Sequence, residues 1–234
     1  MFSPPDYSAP ESFLNPRRGP WTVVLSLHRR PILEAVQAAA PLLKGRLLDV
    51  GCGSKPYASI LQCDQHVGVD IASSPHDRNR FDHTYDGNLL PFENEEFDSV
   101  LCTEVLEHCS QPFTLMEEIG RVLKRGGYVL VTVPMVFHHH EEPHDFQRFT
   151  KYGVEELAKR GGLEIGWIRP RGGLFSATIA LVYTMVGYTL SRRPFSDLVY
   201  WLLWPFAEIV LRLEKSGMSS KVLSLGWQML ARKV

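Results

Sequence analysis

At 234 residues with 44% hydrophobic side chains, the chain is long enough for one ordinary domain with a sizeable core and an added segment. Lys and Arg total 25 against 26 Asp and Glu, a formal charge of −1, and nothing in that balance argues for a nucleic-acid-binding surface. The four cysteines (Cys52, Cys63, Cys102, Cys109) have no C-x-x-C spacing and read as reduced thiols, not a disulfide framework.

Residues 1–20, MFSPPDYSAPESFLNPRRGP, lack the basic-then-apolar layout of a secretion signal. They read as a flexible arm, and with the reduced cysteines they point to a cytoplasmic location. Residues 21–43 carry Val24, Leu25, Leu27, Ile32, Val36, Leu42 and Leu43 in a helical stretch, with a break expected before Pro31. Strands are expected near 46–51, 66–71, 82–86, 97–103 and 126–134, alternating with helices near 55–63 and 111–124. Lys124-Arg125-Gly126-Gly127 reads as a helix end, with cations in the last turn and a glycine cap. TKYGVEELAKRGGLEIGWIRP repeats the helix–Gly–strand pattern, and Gly161-Gly162 is its stop. This alternation predicts an α/β fold with a doubly wound, mostly parallel sheet.

Beyond Gly173 two apolar runs follow, LFSATIALVYTMVGYTL (174–190) and LVYWLLWPFAEIVLRL (198–213), separated by SRRPFSD. Neither reaches the roughly twenty residues of a comfortable membrane crossing, and Pro205 interrupts the second. Three readings stay open for this hydrophobic helical addition: helices that cover the core or form a homodimer surface, a true membrane span, or a peripheral membrane contact. In the last, Tyr200, Trp201 and Trp204 suit a bilayer interface and Arg192 and Arg193 meet anionic headgroups, at the inner face of a membrane. LGWQMLARK then reads as a last strand. The chain divides into an arm (1–20), a core domain (21–172), an apolar helical insertion (173–215) and a returning strand (216–234).

Chemistry is concentrated at three places. In GRLLDVGCG, Leu47, Leu48 and Val50 run into Gly51 and Gly53, a buried strand entering a tight turn where backbone can approach a ligand. Asp70 closes the next apolar run, VGVD, where a carboxylate can accept from ribose hydroxyls. A dinucleotide fingerprint wants a third glycine where Pro56 stands, and Asp49 beside the turn would repel a pyrophosphate but hold an ammonium group. S-adenosylmethionine (SAM), which carries an ammonium and a ribose but no phosphate, fits better than NAD. An NAD-dependent oxidoreductase is the less favoured alternative.

LLDVGCGSKPY, VGVD, DGNLLPF, FDSVLCTEVLEH and RVLKRGGYVLVTVP, in this order over about residues 45–165, resemble class I SAM-dependent methyltransferases of the type 11-like group. The pattern is similar to that of ubiquinone-biosynthesis O-methyltransferases. The resemblance implies a seven-stranded Rossmann-like sheet with SAM as cofactor. It places Asp49, Gly51 and Gly53 along the methionine portion, Asp70 on the ribose and Asp86 near the adenine amine. Cys52, Ile71, Gly87 and Thr103 complete the implied cofactor-binding set. Without a ligand, Asp49 and Asp70 would read as capping or surface charges and Asp86 as a turn residue. Only fifteen residues separate Asp70 from Asp86, and ASSPHDRNR is too polar for a full crossover helix, so a shortened loop is expected there.

Glu104, Glu107 and His108 form E-x-x-E-H, a spacing that puts them on one helical face at the ligand-binding edge of the sheet. The cluster resembles the metal site of small-RNA 2′-O-methyltransferases and of some quinone O-methyltransferases, where a later histidine completes the set. Here that implies a divalent metal on Glu104, Glu107, His108 and His144. The alternative is that Glu107 and His108 only hydrogen-bond across the sheet edge. In HHHEEPHD (138–145), His140 and His144 are candidate general bases, Asp145 an orienting carboxylate, and Arg148 a partner for an acidic acceptor or a brace for the loop. The alternative there is a structural loop with solvated histidines. The functional expectation is SAM-dependent methyl transfer to a small or lipid-linked acceptor, with a hydroxyl favoured as the methylated group. A SAM-binding scaffold without transfer is the competing class.

Overall fold

The structure is a computed structural model that describes residues 14, 23–72, 74, 81–189, 193–214 and 222–234. Helix α1 (Val23–Ala39) leads into β1 (Arg46–Val50), β2 (Gln65–Ile71), β3 (His83–Tyr85) and β4 (Phe97–Thr103). A single 3-10 turn (Leu106–His108), α2 (Pro112–Val122), β5 (Leu123–Pro134), α3 (Lys151–Arg160) and β6 (Leu163–Arg171) follow. The chain ends with α4 (Leu174–Thr189), α5 (Arg193–Glu214) and β7 (Gly226–Lys233).

The seven strands form one sheet in the order β3-β2-β1-β4-β5-β7-β6. β1 to β5 pair in parallel, whereas β7 runs antiparallel between β5 and β6. Side chains alternate across the strands, so both faces are buried and the strands read as nearly continuous apolar runs. Leu48, Val50, Val67, Val69, Val100 and Val129 share one core with Leu115 and Met116 of α2 and Leu157 of α3. Leu47, Leu101, Leu130 and Leu230 face the other way and pack with Ile32, Val36 and Ala39 of α1. The first turns of α1 belong to a third cluster, where Val23 and Leu27 meet Ala177, Ala180 and Tyr183 of α4 and Ala207 of α5.

Three local expectations are corrected. α1 runs unbroken through Pro31, because buried side chains before it (Leu27) and after it (Ile32, Leu33) are held by different cores. The helix expected near 55–63 is a series of turns instead; Lys55 adopts a left-handed φ of 51°, which a helix cannot contain. α2 stops at Val122, so Lys124 lies in the strand, where its Nζ meets Asp98 Oδ1 at 2.7 Å. β7 returns to the sheet between β5 and β6. The ASSPHDRNR connection after β2, where a shortened loop is expected, lies outside the described residues except for Ala72 and Ser74. The proline-rich arm, apart from Leu14, lies outside the described residues, as does Arg192.

Candidate active site

β1 and β4 are neighbours whose next strands depart in opposite directions, and the crevice beyond their carboxyl ends is the switch point of the sheet. The glycine turn sits there. Gly51 has φ +62°, and a Cβ on it would come within 2.4 Å of Val105 Cγ2, so both conformation and space demand glycine. The Gly53 amide donates to Asp70 Oδ2 at 3.0 Å, and Ser74 Oγ donates to the same oxygen at 3.2 Å. The two candidate cofactor motifs are thus joined directly, with Asp70 Oδ1 held by its neighbour's amide, Ile71 N, at 2.8 Å.

Asp49 is buried and accepts from, or shares a proton with, His66 Nε2 at 2.9 Å. Burial pushes its carboxyl above the usual carboxylate range, against the pull of His66 and Lys55. Asp86 is exposed at the tip of a turn, its Oδ1 accepting from the amides of Asn88 and Leu89, each at 2.8 Å. Those amides hold its carboxyl below the ordinary value. Gly87 follows with φ +92°, and its carbonyl accepts from Cys109 Sγ. Cys52 is a buried thiol that burial pushes up out of the reactive range. Thr103 ends β4 opposite Thr132.

The E-x-x-E-H residues separate into two roles. Glu104, at a left-handed φ of 54°, accepts from Thr132 Oγ1 at 2.8 Å and lies 2.9 Å from Nη1 of the fully buried Arg171. Gly226 makes room for that guanidinium, since a Cβ there would come within 2.2 Å of Arg171 Nη2. Glu107 is different: it is 0% exposed and neither carboxylate oxygen has a hydrogen-bond partner among the described residues. Burial, then the charge of Glu104, pushes its carboxyl well above the ordinary range.

A loop from β5 closes over Glu107. Its backbone is tied down by Phe146 N, which donates to the Glu107 carbonyl at 2.8 Å. His108 Nδ1 donates to the His144 carbonyl at 2.7 Å, so in the neutral ring Nε2 carries the lone pair, 3.9 Å from Glu107 Oε1. His140 Nδ1 faces the His138 carbonyl at 3.2 Å, which again leaves Nε2 as the free nitrogen. Burial, then His108, lowers the His140 pKa. Ligand atoms of Glu107, His108 and His140 lie within 4.8 Å of one another, the arrangement of a divalent-cation site. The orphaned carboxyl group and two imidazole rings make a donor set that fits such an ion.

His144 contributes its carbonyl, while its ring is exposed and packs near Phe146. Asp145 accepts from the His140 amide at 3.1 Å and pairs with Arg148 at 2.5 and 2.8 Å. That guanidinium, chiefly, pulls the Asp145 carboxyl far below the carboxylate range. Arg148 also donates to the carbonyls of Phe137, His138 and Gln147, so its hydrogen bonds brace the loop.

Residues 48–131 match the family described as a methyltransferase domain. That match supports the resemblance to class I SAM-dependent methyltransferases over this segment. It is similar to a phthiotriol/phenolphthiotriol dimycocerosates methyltransferase of Mycobacterium ulcerans, 35% identical over 37% of this chain and 36% of the other. A ubiquinone biosynthesis O-methyltransferase of Hahella chejuensis is 32% identical over 40% of this chain and 45% of its own. The chain spans half or less of the length of the curated relatives it matches. Among solved structures, the cyclase SpnF superposes with a TM-score of 0.55 at 22% identity, over 92% of this chain and 83% of that one, a likeness of fold alone.

Residues 48–131 take in the glycine turn, Asp70, Asp86 and the E-x-x-E-H segment, but not the histidine loop, β6, α4, α5 or β7. Two buried groups at the site lie outside this segment and were missed by sequence reasoning. Arg171 ends β6, and His28 of α1 packs edge-on against Phe137 at 4.4 Å with Nε2 unpartnered among the described residues. Burial, then Arg171, holds His28 neutral by lowering its pKa well below the ordinary value.

Proposed function

We propose that the chain transfers a methyl group from SAM to a hydroxyl on a small or lipid-associated acceptor. The observation that carries this reading is the union of the Gly53 turn with Asp70 beside an orphaned Glu107–His108–His140 cluster, at one edge of the sheet. When bound, SAM supplies an electrophilic methyl whose transfer forms one C–O bond, breaks one C–S bond and the acceptor's O–H bond, and leaves a neutral thioether, with the hydroxyl proton passing to water. Gly51 and Gly53 let backbone approach the cofactor, and Asp70 accepts from its ribose hydroxyls in place of the Gly53 amide and Ser74. Asp49, paired with His66, sets the negative potential behind the turn.

Glu107, His108 and His140 hold a divalent cation, which when bound supplies Lewis-acid lowering of the acceptor hydroxyl pKa. Asp145 and Arg148 are positioning residues: they fix the His140 backbone so that its Nε2 meets Glu107 and His108. In this reading His140 replaces His144 in the donor set, and Glu104 serves Arg171 instead of the cation.

The test is transfer of labelled methyl from SAM to fractionated cell extracts, with and without chelator. Turnover that chelator removes and a divalent cation restores supports the reading. Turnover indifferent to chelator but lost in His140→Ala makes His140 the base at Nε2. Tight SAM binding with no labelled product in any fraction overturns methyl transfer and favours a scaffold.

A further inference from the structure

We infer that the exposed face shared by α4 and α5 docks on an anionic lipid surface and that the acceptor enters the site from that surface. The second half rests on the methyl-transfer reading; the first does not.

On α5, Phe195, Leu198, Leu202, Phe206 and Ile209 are exposed at intervals of three and four residues, and Leu202 is 69% exposed. They form one apolar stripe, joined by Trp201. Across the helix pair Leu181, Met185 and Tyr188 of α4 continue it at the same spacing. α4 carries no charged residue at all, and Arg212 is the only charged side chain at the exposed described positions of the two helices. The acids are withdrawn: Asp197 and Glu208 are half-buried, and Glu214 accepts from the Phe175 and Ser176 amides at the start of α4. In sequence, Arg192, Arg193 and Lys215 flank the second apolar run, and Arg212 is exposed within it. An apolar face with aromatic rings and an exposed arginine, in a segment flanked in sequence by basic residues, matches a bilayer interface with anionic headgroups. No described helix is long and apolar enough to cross a membrane, which fits a helix pair lying on the surface.

The face leads to the site. A cavity of about 280 Å3 lies between α1, α4, α5 and the histidine loop, lined by Val24, Phe137, His138, Tyr183, Tyr188 and Tyr200. Tyr188 is both a wall of this cavity and, at 71% exposure, part of the apolar face. From Tyr188 ring contacts continue inward: 5.9 Å to His138, 6.3 Å from His138 to His140, and 4.6 Å from His140 to His108. Inside the cavity wall, His138 Nδ1 and Tyr183 Oη are buried without hydrogen-bond partners among the described residues. An aromatic-lined cavity with two spare polar atoms suits an amphiphile whose hydroxyl-bearing ring or chain leaves the lipid and enters between the tyrosines.

The test uses the full chain with vesicles of phosphatidylglycerol and phosphatidylcholine, vesicles of phosphatidylcholine alone, and light scattering in their absence. Expected are co-flotation with the anionic vesicles, quenching of tryptophan emission by brominated acyl chains that falls in Trp201→Phe, and at least tenfold weaker binding in Leu202→Glu with Phe206→Glu. Both substituted positions are exposed, and an unchanged thermal shift with SAM certifies the fold of the variants. A wild-type chain that stays off anionic vesicles overturns the docking. So does a dimer that the same two substitutions convert to monomer without changing flotation. Labelled product confined to the aqueous phase overturns entry from the membrane. No product in either phase, with flotation intact, overturns methyl transfer and leaves the docking standing.

Discussion

Arg171, with no exposed surface, lies 2.9 Å from a carboxylate oxygen of Glu104, a residue that occupies the left-handed region at φ 54°. The pair joins the end of β6 to the first residue after β4, two strands separated in the sheet by β5 and β7. A guanidinium so enclosed has no water to fall back on, and removing either partner leaves a desolvated charge. Arg171→Met is expected to cost about 3 kcal/mol of stability, and Glu104→Gln, which keeps a hydrogen-bonding group, about 1 kcal/mol. Urea unfolding at neutral pH reads both; equal losses would mean that the ion pair itself contributes nothing.

Glu107 is expected to behave in the opposite way. Its buried carboxyl has no partner to lose, so Glu107→Gln in chelator should lie within about 1 kcal/mol of the parent chain. Added divalent cation should raise the melting temperature of the parent and of His144→Ala but not of Glu107→Gln or His140→Ala. Thermal shift with manganese or magnesium measures this directly. A cation response lost in His144→Ala and kept in His140→Ala would restore His144 to the donor set.

Two glycines with similar backbone angles separate conformation from contact. Gly51 (φ +62°) abuts Val105, whereas a Cβ on Gly162 (φ +64°) meets nothing within 4 Å. Gly162→Ala should therefore cost about 1 kcal/mol, the left-handed penalty alone. Gly51→Ala adds overpacking and should cost about 2–4 kcal/mol, with SAM affinity falling as the turn shifts. Denaturant melts and isothermal titration with SAM distinguish the pair; equal costs would remove Val105 from the account.

Local features were readable in the sequence because their causes are local. The glycine turn, the parallel strands and the apolar helices follow from residue type and period, and all appear where the pattern puts them. What failed was set by partners far away in the chain. Pro31 does not break α1, because two cores grip the helix on either side and Gln228 Nε2 donates to the Pro31 carbonyl at 2.7 Å across 197 residues. Asp49 looked free to face a ligand, yet His66 stands on the same face of the next strand and takes its carboxylate. The choice between His140 and His144 was beyond composition or spacing. It depends on two hydrogen bonds, from Phe146 N to the Glu107 carbonyl and from His108 Nδ1 to the His144 carbonyl, which turn one ring in and leave the other outside.

Acid stability should follow the surface carboxylates whose ionised forms the fold favours. The Arg121 guanidinium, above all, lowers the Glu118 pKa, helped by the Leu90 amide. Lys124, then the Arg46 amide, lowers that of Asp98. A carboxylate with a folded pKa below its unfolded one contributes stability that is complete above the unfolded value, about 4. That contribution is lost as pH falls through the folded pKa. The contribution of these two carboxylates should thus be level from pH 7 to 5 and decline below about 4. Arg121→Met should lower stability at pH 7 and flatten the acid decline, because the partner that separates the two pKa values is gone. Urea midpoints at pH 7, 5 and 3.5 for both chains measure it. An acid decline as steep in Arg121→Met as in the parent would show that Glu118 plays no part in it.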